Sequence, residues 1–229
     1  MRGVFVTGTD TEVGKSVVAA AICAALAARG EQVAAFKPVV TGLHDEPGRF
    51  GHDHELLASA ANSGQAPDDV APYRFGPPVS PHLAAELAGV GIEPSELVAA
   101  ARHAAAGGAS TEGDRTLVCE GVGGLMVPIT PGYLVRDLAV DLGMPIVITA
   151  RTGLGTINHT LLTVDAARAA GLRVSAVVMT PWPDEPSELE RSNRETIARL
   201  GGVRVSALAR ATPDRLAEAG ARLPVDDWL

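Results

Sequence analysis

The chain is short of cysteine, of positive charge and of long apolar runs, and each shortage narrows what it can be. Its 229 residues include only Cys23 and Cys119, far apart and each inside an apolar segment. Reduced core thiols in the cytoplasm are therefore expected, and a disulfide framework is not. Nineteen Lys and Arg stand against 27 Asp and Glu, a net charge of −8. An acidic surface argues against general binding to nucleic acid or an anionic membrane, so any anionic ligand needs a local site. No apolar run is long or continuous enough to cross a bilayer. Met1 to Val6 runs at once into a strand and a glycine turn, with no room for a signal peptide, so an untargeted soluble protein is expected. Repeats and linkers are missing too, and one domain over residues 1–229 is the reading; Gly107 to Asp114, the best boundary candidate, looks like a surface loop. What is present is ordinary for a loop-rich globular protein: 46% hydrophobic, 20% charged, 25 Gly and 16 Pro.

Val4 to Val6 is a short β-branched and aromatic run ending at Gly8, and the Ala-rich Lys15 to Arg29 stops at Gly30: strand, turn, helix. Further strands are expected at Val33–Phe36, Thr116–Cys119, Pro145–Thr149, Val174–Met179 and Val203–Ala207. Helices are expected over Asp53–Ala61, Pro81–Ala88, Pro94–Ala106, Val135–Leu142, Thr156–Ala170 and Ser187–Leu200. Strands alternating with helices need crossover connections, which predicts an α/β fold of P-loop NTPase type, a mainly parallel sheet with helices on both faces.

Between the first strand and helix lies Gly8-Thr9-Asp10-Thr11-Glu12-Val13-Gly14-Lys15-Ser16, with Val17 next. Backbone N–H groups at such a turn face an anion, a lysine reaches the terminal phosphates and a hydroxyl serves a magnesium ion. Five residues rather than four separate Gly8 from Gly14. Asp10 and Glu12 add negative charge beside that phosphate, which is unfavourable unless they meet a cation or another substrate group. Partition ATPases of this broad class carry a second lysine where Asp10 stands.

The second strand ends in Lys37-Pro38-Val39-Val40-Thr41-Gly42 and the third in Glu120-Gly121-Val122-Gly123-Gly124, at the carboxyl edge where open parallel sheets bind ligands. Alone, such a lysine is commonly a solvated charge. Asp53 reads as an N-cap, yet with Ser16 and Glu120 it makes an oxygen set suited to Mg²⁺. His52-Asp53-His54 reads as a solvated turn, and Ser80-Pro81-His82 as a helix cap with a surface histidine. Gly155-Thr156-Ile157-Asn158 opens a long helix whose free N–H groups suit a carboxylate.

In order, Thr7 to Ser16, Lys37-Pro38-Val39 with Thr41-Gly42, Ser80-Pro81-His82, Glu120 to Gly124 and Gly155 to His159 resemble the signatures of the dethiobiotin synthetase family, over roughly Val4 to Ala176 and more weakly beyond. The resemblance implies a cytoplasmic homodimer with active sites at the interface, taking 7,8-diaminopelargonate, CO2 and a nucleoside triphosphate, with Mg²⁺. It implies catalytic Lys37, Lys15 and Thr11. The nucleotide would meet Glu12, Val13, Gly14, Lys15, Ser16, Val17, Asp53, Glu120, Gly121, Val122, Gly123, Thr180 and Pro181. Substrate would meet Thr41 and Gly155, Thr156, Ile157 and Asn158, and the metal Ser16, Asp53 and Glu120. Lys15 and Lys37 are expected at exposed loop or strand ends. Many members carry an Asn-Asp pair on adenine where this chain has Thr180-Pro181, and Ala207 to Arg210 lacks their Pro-Trp element. A relaxed or non-adenine base preference is expected. The alternative is a partition or switch ATPase of the same fold.

Overall fold

The computed structural model describes residues 1–107 and 115–229; of the 107–114 stretch read as a surface loop, residues 108–114 lie outside the described residues. Six parallel strands form one sheet in the order β10-β9-β8-β1-β5-β2. They are β1 (Gly3–Gly8), β2 (Val33–Phe36), β5 (Thr116–Glu120), β8 (Ile146–Ala150), β9 (Val174–Trp182) and β10 (Val205–Ala209). Side chains alternate between the two faces with period two. Phe5, Phe36, Leu117, Ile146, Ile148 and Val177 enter one core with α5 (Pro94–Ala105), α6 (Val135–Leu142), α7 (Thr156–Ala169) and α8 (Glu188–Gly201). Val4, Val6, Ala35, Val118, Val147 and Val178 enter the other with α1 (Lys15–Ala28) and α2 (Asp53–Ala60). Cys23 and Cys119 are free and buried, one in each core, and burial raises both thiols.

The expected elements appear, α4 (Pro81–Ala88) among them, with one displaced strand and several unforeseen pieces. Gly202 ends α8 in the left-handed region (φ 51°) and Val203 N–H still bonds Ala198 O, so the last strand starts at Val205 rather than Val203. A two-residue parallel ribbon, β3 (Val39–Val40) with β4 (Tyr73–Arg74), and an antiparallel one, β6 (Pro128–Thr130) with β7 (Tyr133–Leu134), are too short to show a period. The short helices α3 (Pro67–Val70) and α9 (Leu216–Gly220) were also unforeseen. From α9 the chain packs on α1, and Trp228 is fully buried in the α1 core. Among the described residues no helix is long and apolar enough to cross a membrane.

Candidate active site at the carboxyl edge of the sheet

Lys37 directly follows β2, Glu120 ends β5, and Arg151 and Arg210 directly follow β8 and β10, while the phosphate loop leaves β1 and Thr180 lies two residues short of the end of β9. The register explains the central contact: Phe36 pairs with Cys119, so Lys37 leaves β2 beside Glu120 at the end of β5. Lys37 Nζ donates to Glu120 Oε1 and to Asp53 Oδ2, both at 2.6 Å, and lies 3.5 Å from Gly121 O. Ser16 Oγ, on the first turn of α1, lies 2.6 Å from Asp53 Oδ1 and 2.9 Å from Glu120 Oε1. Asp53 is not the N-cap of α2. His52 takes that position and Glu55 accepts its N–H, leaving both Asp53 oxygens for the site.

Lys37 is 3% exposed and Lys15 is 7% exposed, which corrects the expectation that both stand at exposed ends. Burial, helped by the Lys37 cation, pulls the Lys15 ammonium down to about 8. Burial alone would also lower Lys37, but Asp53 and Glu120 hold it above the usual lysine range. Asp53 falls to about 2: its desolvation acts upward and is outweighed by Lys37. Its side chain is 43% exposed, but the two oxygens turn inward onto Ser16 and Lys37. Glu120, fully buried, is pushed up by desolvation against the pull of Lys37.

The phosphate loop closes on itself: Lys15 Nζ donates to Asp10 O at 2.9 Å. Glu12 (φ 56°) and Gly14 (φ 87°) both sit in the left-handed region. At Gly14 a Cβ would also lie 2.8 Å from Thr180 Cγ2, so the position needs glycine twice over. Arg151, the residue after β8, answers part of the loop's negative charge. It donates to Thr11 O at 3.1 Å and lies 3.9 Å from Asp10 Oδ2.

Of the cavities that adjoin this loop, two share Glu12 and Gly14 on their walls. The inner one, about 360 Å³, brings together Thr11, Lys15, Lys37, Thr41, Asp53 and Glu120, with Ser16, Val122 and Gly123 also on its wall. The outer one, about 430 Å³, is lined by Val13, Arg49, Arg151, Thr180, Pro181 and Arg210 among others. Glu12, Gly14, Val17 and Phe50 line both. Gly155, Thr156, Ile157 and Asn158 line neither; Thr156 Oγ1 instead donates to Arg151 O at 2.7 Å. Sequence reasoning missed Arg49, Phe50, Arg151 and Arg210. Arg151 and Arg210 directly follow strands, a signal that the sheet-edge rule could have used, whereas Arg49-Phe50 lies in an aperiodic loop.

The carboxylates offer room for a hard cation. Glu120 Oε2 is buried and has no hydrogen-bond partner, and Asp53 and Ser16 add oxygens beside it, a donor set that suits Mg²⁺ rather than a soft metal. Among the described residues no three His, Cys, Asp or Glu side chains converge as a metal cluster. His54 is buried rather than part of a solvated turn, its ring centroid 6.1 Å from that of His52. Ser80 stands at the N-cap of α4 but makes no side-chain cap bond, and His82 is no plain surface residue, since its Nδ1 is buried without a partner.

Known proteins resemble the chain in sequence and in fold. A family model described as an AAA domain matches residues 2–210. The solved structures of a ParA family ATPase from Chlorobium tepidum (TM-score 0.53, 11% identity, 98% of this chain and 93% of that one) and of the MinC:MinD cell division protein complex of Aquifex aeolicus (TM-score 0.55, 13% identity, 99% and 89%) share the fold. The ATP-dependent dethiobiotin synthetase BioD of Bacillus subtilis is 36% identical over 203 residues, 89% of this chain and 84% of its own. That of Anaeromyxobacter dehalogenans is 41% identical over 201 residues, 87% and 86%. That of Nitrobacter hamburgensis is 39% identical over 229 residues, 99% and 96%, an alignment that runs well past Ala176, where the motif resemblance thins. With the P-loop fold and the sheet-edge site in place, these relatives decide the matter: the chain belongs to the ATP-dependent dethiobiotin synthetase family and is an ATP-dependent cyclo-ligase of biotin biosynthesis.

Proposed function

We propose that the chain converts 7,8-diaminopelargonate, CO2 and ATP into dethiobiotin, ADP and phosphate in the inner cavity. The observation that carries this reading is the pair of buried lysines, Lys15 and Lys37, facing one cavity with Thr11 and Thr41. One substrate amine captures CO2 as a carbamate. A carbamate oxygen then bonds to the γ-phosphorus as the bond from that phosphorus to ADP breaks, giving a carbamic-phosphoric anhydride. The second amine attacks the carbonyl carbon, phosphate leaves and the ureido ring closes. Little covalent chemistry falls to the protein, so positioned charge carries the step. Lys15 meets the terminal phosphates and Lys37 the carbamate and the transferring phosphoryl oxygens, while Thr11 and Thr41 hydrogen-bond the carbamate or its parent amine. Gly121, Val122 and Gly123 border the phosphates.

Ser16, Asp53 and Glu120 would hold Mg²⁺, which when bound neutralises charge on the phosphate oxygens. Chelation should stop phosphate release and added magnesium should restore it. Activity that survives chelation, with stoichiometric zinc in elemental analysis, would contradict the assignment. The active unit is a cytoplasmic homodimer, in which Gly155, Thr156, Ile157 and Asn158 of the partner subunit receive the substrate carboxylate on free N–H groups. Leu154 (92% exposed), just before that helix, and Leu162 (60% exposed), about two turns into it, supply apolar surface for such a contact.

The direct test is phosphate release with diaminopelargonate and bicarbonate: stimulation by these and not by DNA is expected, and stimulation by DNA alone would favour a partition ATPase. The base is expected in the outer cavity, beside Thr180 and Pro181. These offer one hydroxyl and no side-chain amide, and proline lacks an N–H. Discrimination built on buried polar groups falls where they are missing. CTP, GTP and UTP should therefore support dethiobiotin formation within about tenfold of ATP, or better. Competition at equal concentration decides it, and turnover with ATP alone would overturn the expectation.

A further inference from the structure

The outer cavity has a feature that the reaction above leaves unused. Arg49, Arg151 and Arg210 line it and Glu12 is its one carboxylate, a local reversal of sign in a chain of net charge −8. Arg151 is engaged by Thr11 O and Asp10. Arg49 is not: its guanidinium carbon lies 4.8 Å from the centroid of the Phe50 ring, and among the described residues it meets no carboxylate. The negative face of the ring attracts a guanidinium at this distance and favours its placement there. Phe50 in turn is half-buried and packs on the α1 core, so the stack has a firm base.

Position gives the stack its meaning. Phe50 lines both cavities, whereas Arg49 lines only the outer one. A nucleotide with its phosphates on Gly14 to Ser16 and its base in the outer cavity crosses the stretch of wall that Phe50 shares between the two cavities and enters the one that Arg49 lines. We infer that Arg49, held by Phe50, forms a stacking platform for the nucleobase, in a layered order of ring, guanidinium, base. A platform of this kind reads the π-face that every base possesses and not the polar edge that tells bases apart. It thus supplies affinity where Thr180-Pro181 supplies little edge recognition. This rests on the proposed placement of the triphosphate in the inner cavity and goes beyond it by assigning the base its partner.

Equilibrium binding tests it without any need for turnover. The probes are ATP, CTP, GTP and UTP, with inorganic tripolyphosphate as the probe that lacks a base. Arg49→Ala should weaken all four nucleotides by a similar factor, about 5-fold, and leave tripolyphosphate unchanged. Phe50→Leu, which keeps apolar packing but removes the ring, should do the same through loss of order in Arg49. Thermal midpoints near that of the unsubstituted protein accompany both results if the fold is intact. Unchanged nucleotide affinity in Arg49→Ala, or loss confined to one base, would overturn the platform. Equal loss of tripolyphosphate would also overturn it, by showing that Arg49 serves the phosphates. Absence of tripolyphosphate binding in the unsubstituted protein would instead overturn the phosphate seat on which the placement rests.

Discussion

Replacing Lys37 with alanine should reduce phosphate release by about a thousandfold, the scale on which loss of one preorganised charge or donor at a reacting centre is felt. It should also lower stability, which the sequence did not foretell. Lys37 Nζ sits 2.6 Å from an oxygen of each of Asp53 and Glu120, and Glu120 is wholly buried. Breaking a buried pair by removing one partner costs about 3–5 kcal/mol, because the remaining charge is stranded in low dielectric. Glu120, whose carboxyl burial already pushes upward, should respond by taking up a proton. A double substitution, Lys37→Ala with Glu120→Gln, should recover part of the thermal midpoint and none of the activity. Melting curves and steady-state phosphate release on both proteins check this. Near-normal turnover in Lys37→Ala would end the assignment.

The second large effect is on the fold alone. Gly220, at the end of α9, faces the α1 backbone so closely that a Cβ would lie 2.0 Å from Ala21 O and 2.9 Å from Ala25 Cβ. The nearer obstacle is a backbone oxygen, so α9 must move away from α1. Overpacking of this kind costs about 1–3 kcal/mol and occasionally more. Gly220→Ala should therefore lower the midpoint by about 2–12 °C, given roughly 2–4 °C per kcal/mol in a chain of this size. At low temperature the folded enzyme should keep its turnover, since Gly220 lines neither the inner nor the outer cavity. A midpoint equal to that of the unsubstituted protein would mean that α9 does not pack on α1 as described.

The sheet and the phosphate loop were legible because each rests on a local signal: apolar runs such as Val4 to Val6, a glycine turn, a lysine-serine pair opening an Ala-rich helix. The burial of Lys37 was not. A lysine after a strand looks solvated until one knows that β5 lies beside β2 and that Phe36 pairs with Cys119, and such a long-range register leaves no local trace. Asp53 was expected beside Ser16 and Glu120, where it lies, but was given the wrong place in its helix, since His52 and Asp53 both suit an N-terminus. The ribbons β3/β4 and β6/β7 escaped because pairs of two or three residues carry no period. Arg49 and Phe50 escaped because their loop has none either.

The presence of Phe50 on the walls of both cavities has a pharmacological consequence. The outer cavity can be filled by a flat, uncharged aromatic compound that stops at Phe50 and never reaches Lys15 or Lys37. With the base placed in the outer cavity as proposed, such a compound would compete with the nucleotide without imitating its phosphates. Phosphate mimics carry the charge that keeps nucleotide analogues out of cells, since burying an unpaired charge in a bilayer is so costly. They also bind a loop chemistry common to many nucleotide-binding proteins. Blockade through the outer cavity avoids both difficulties.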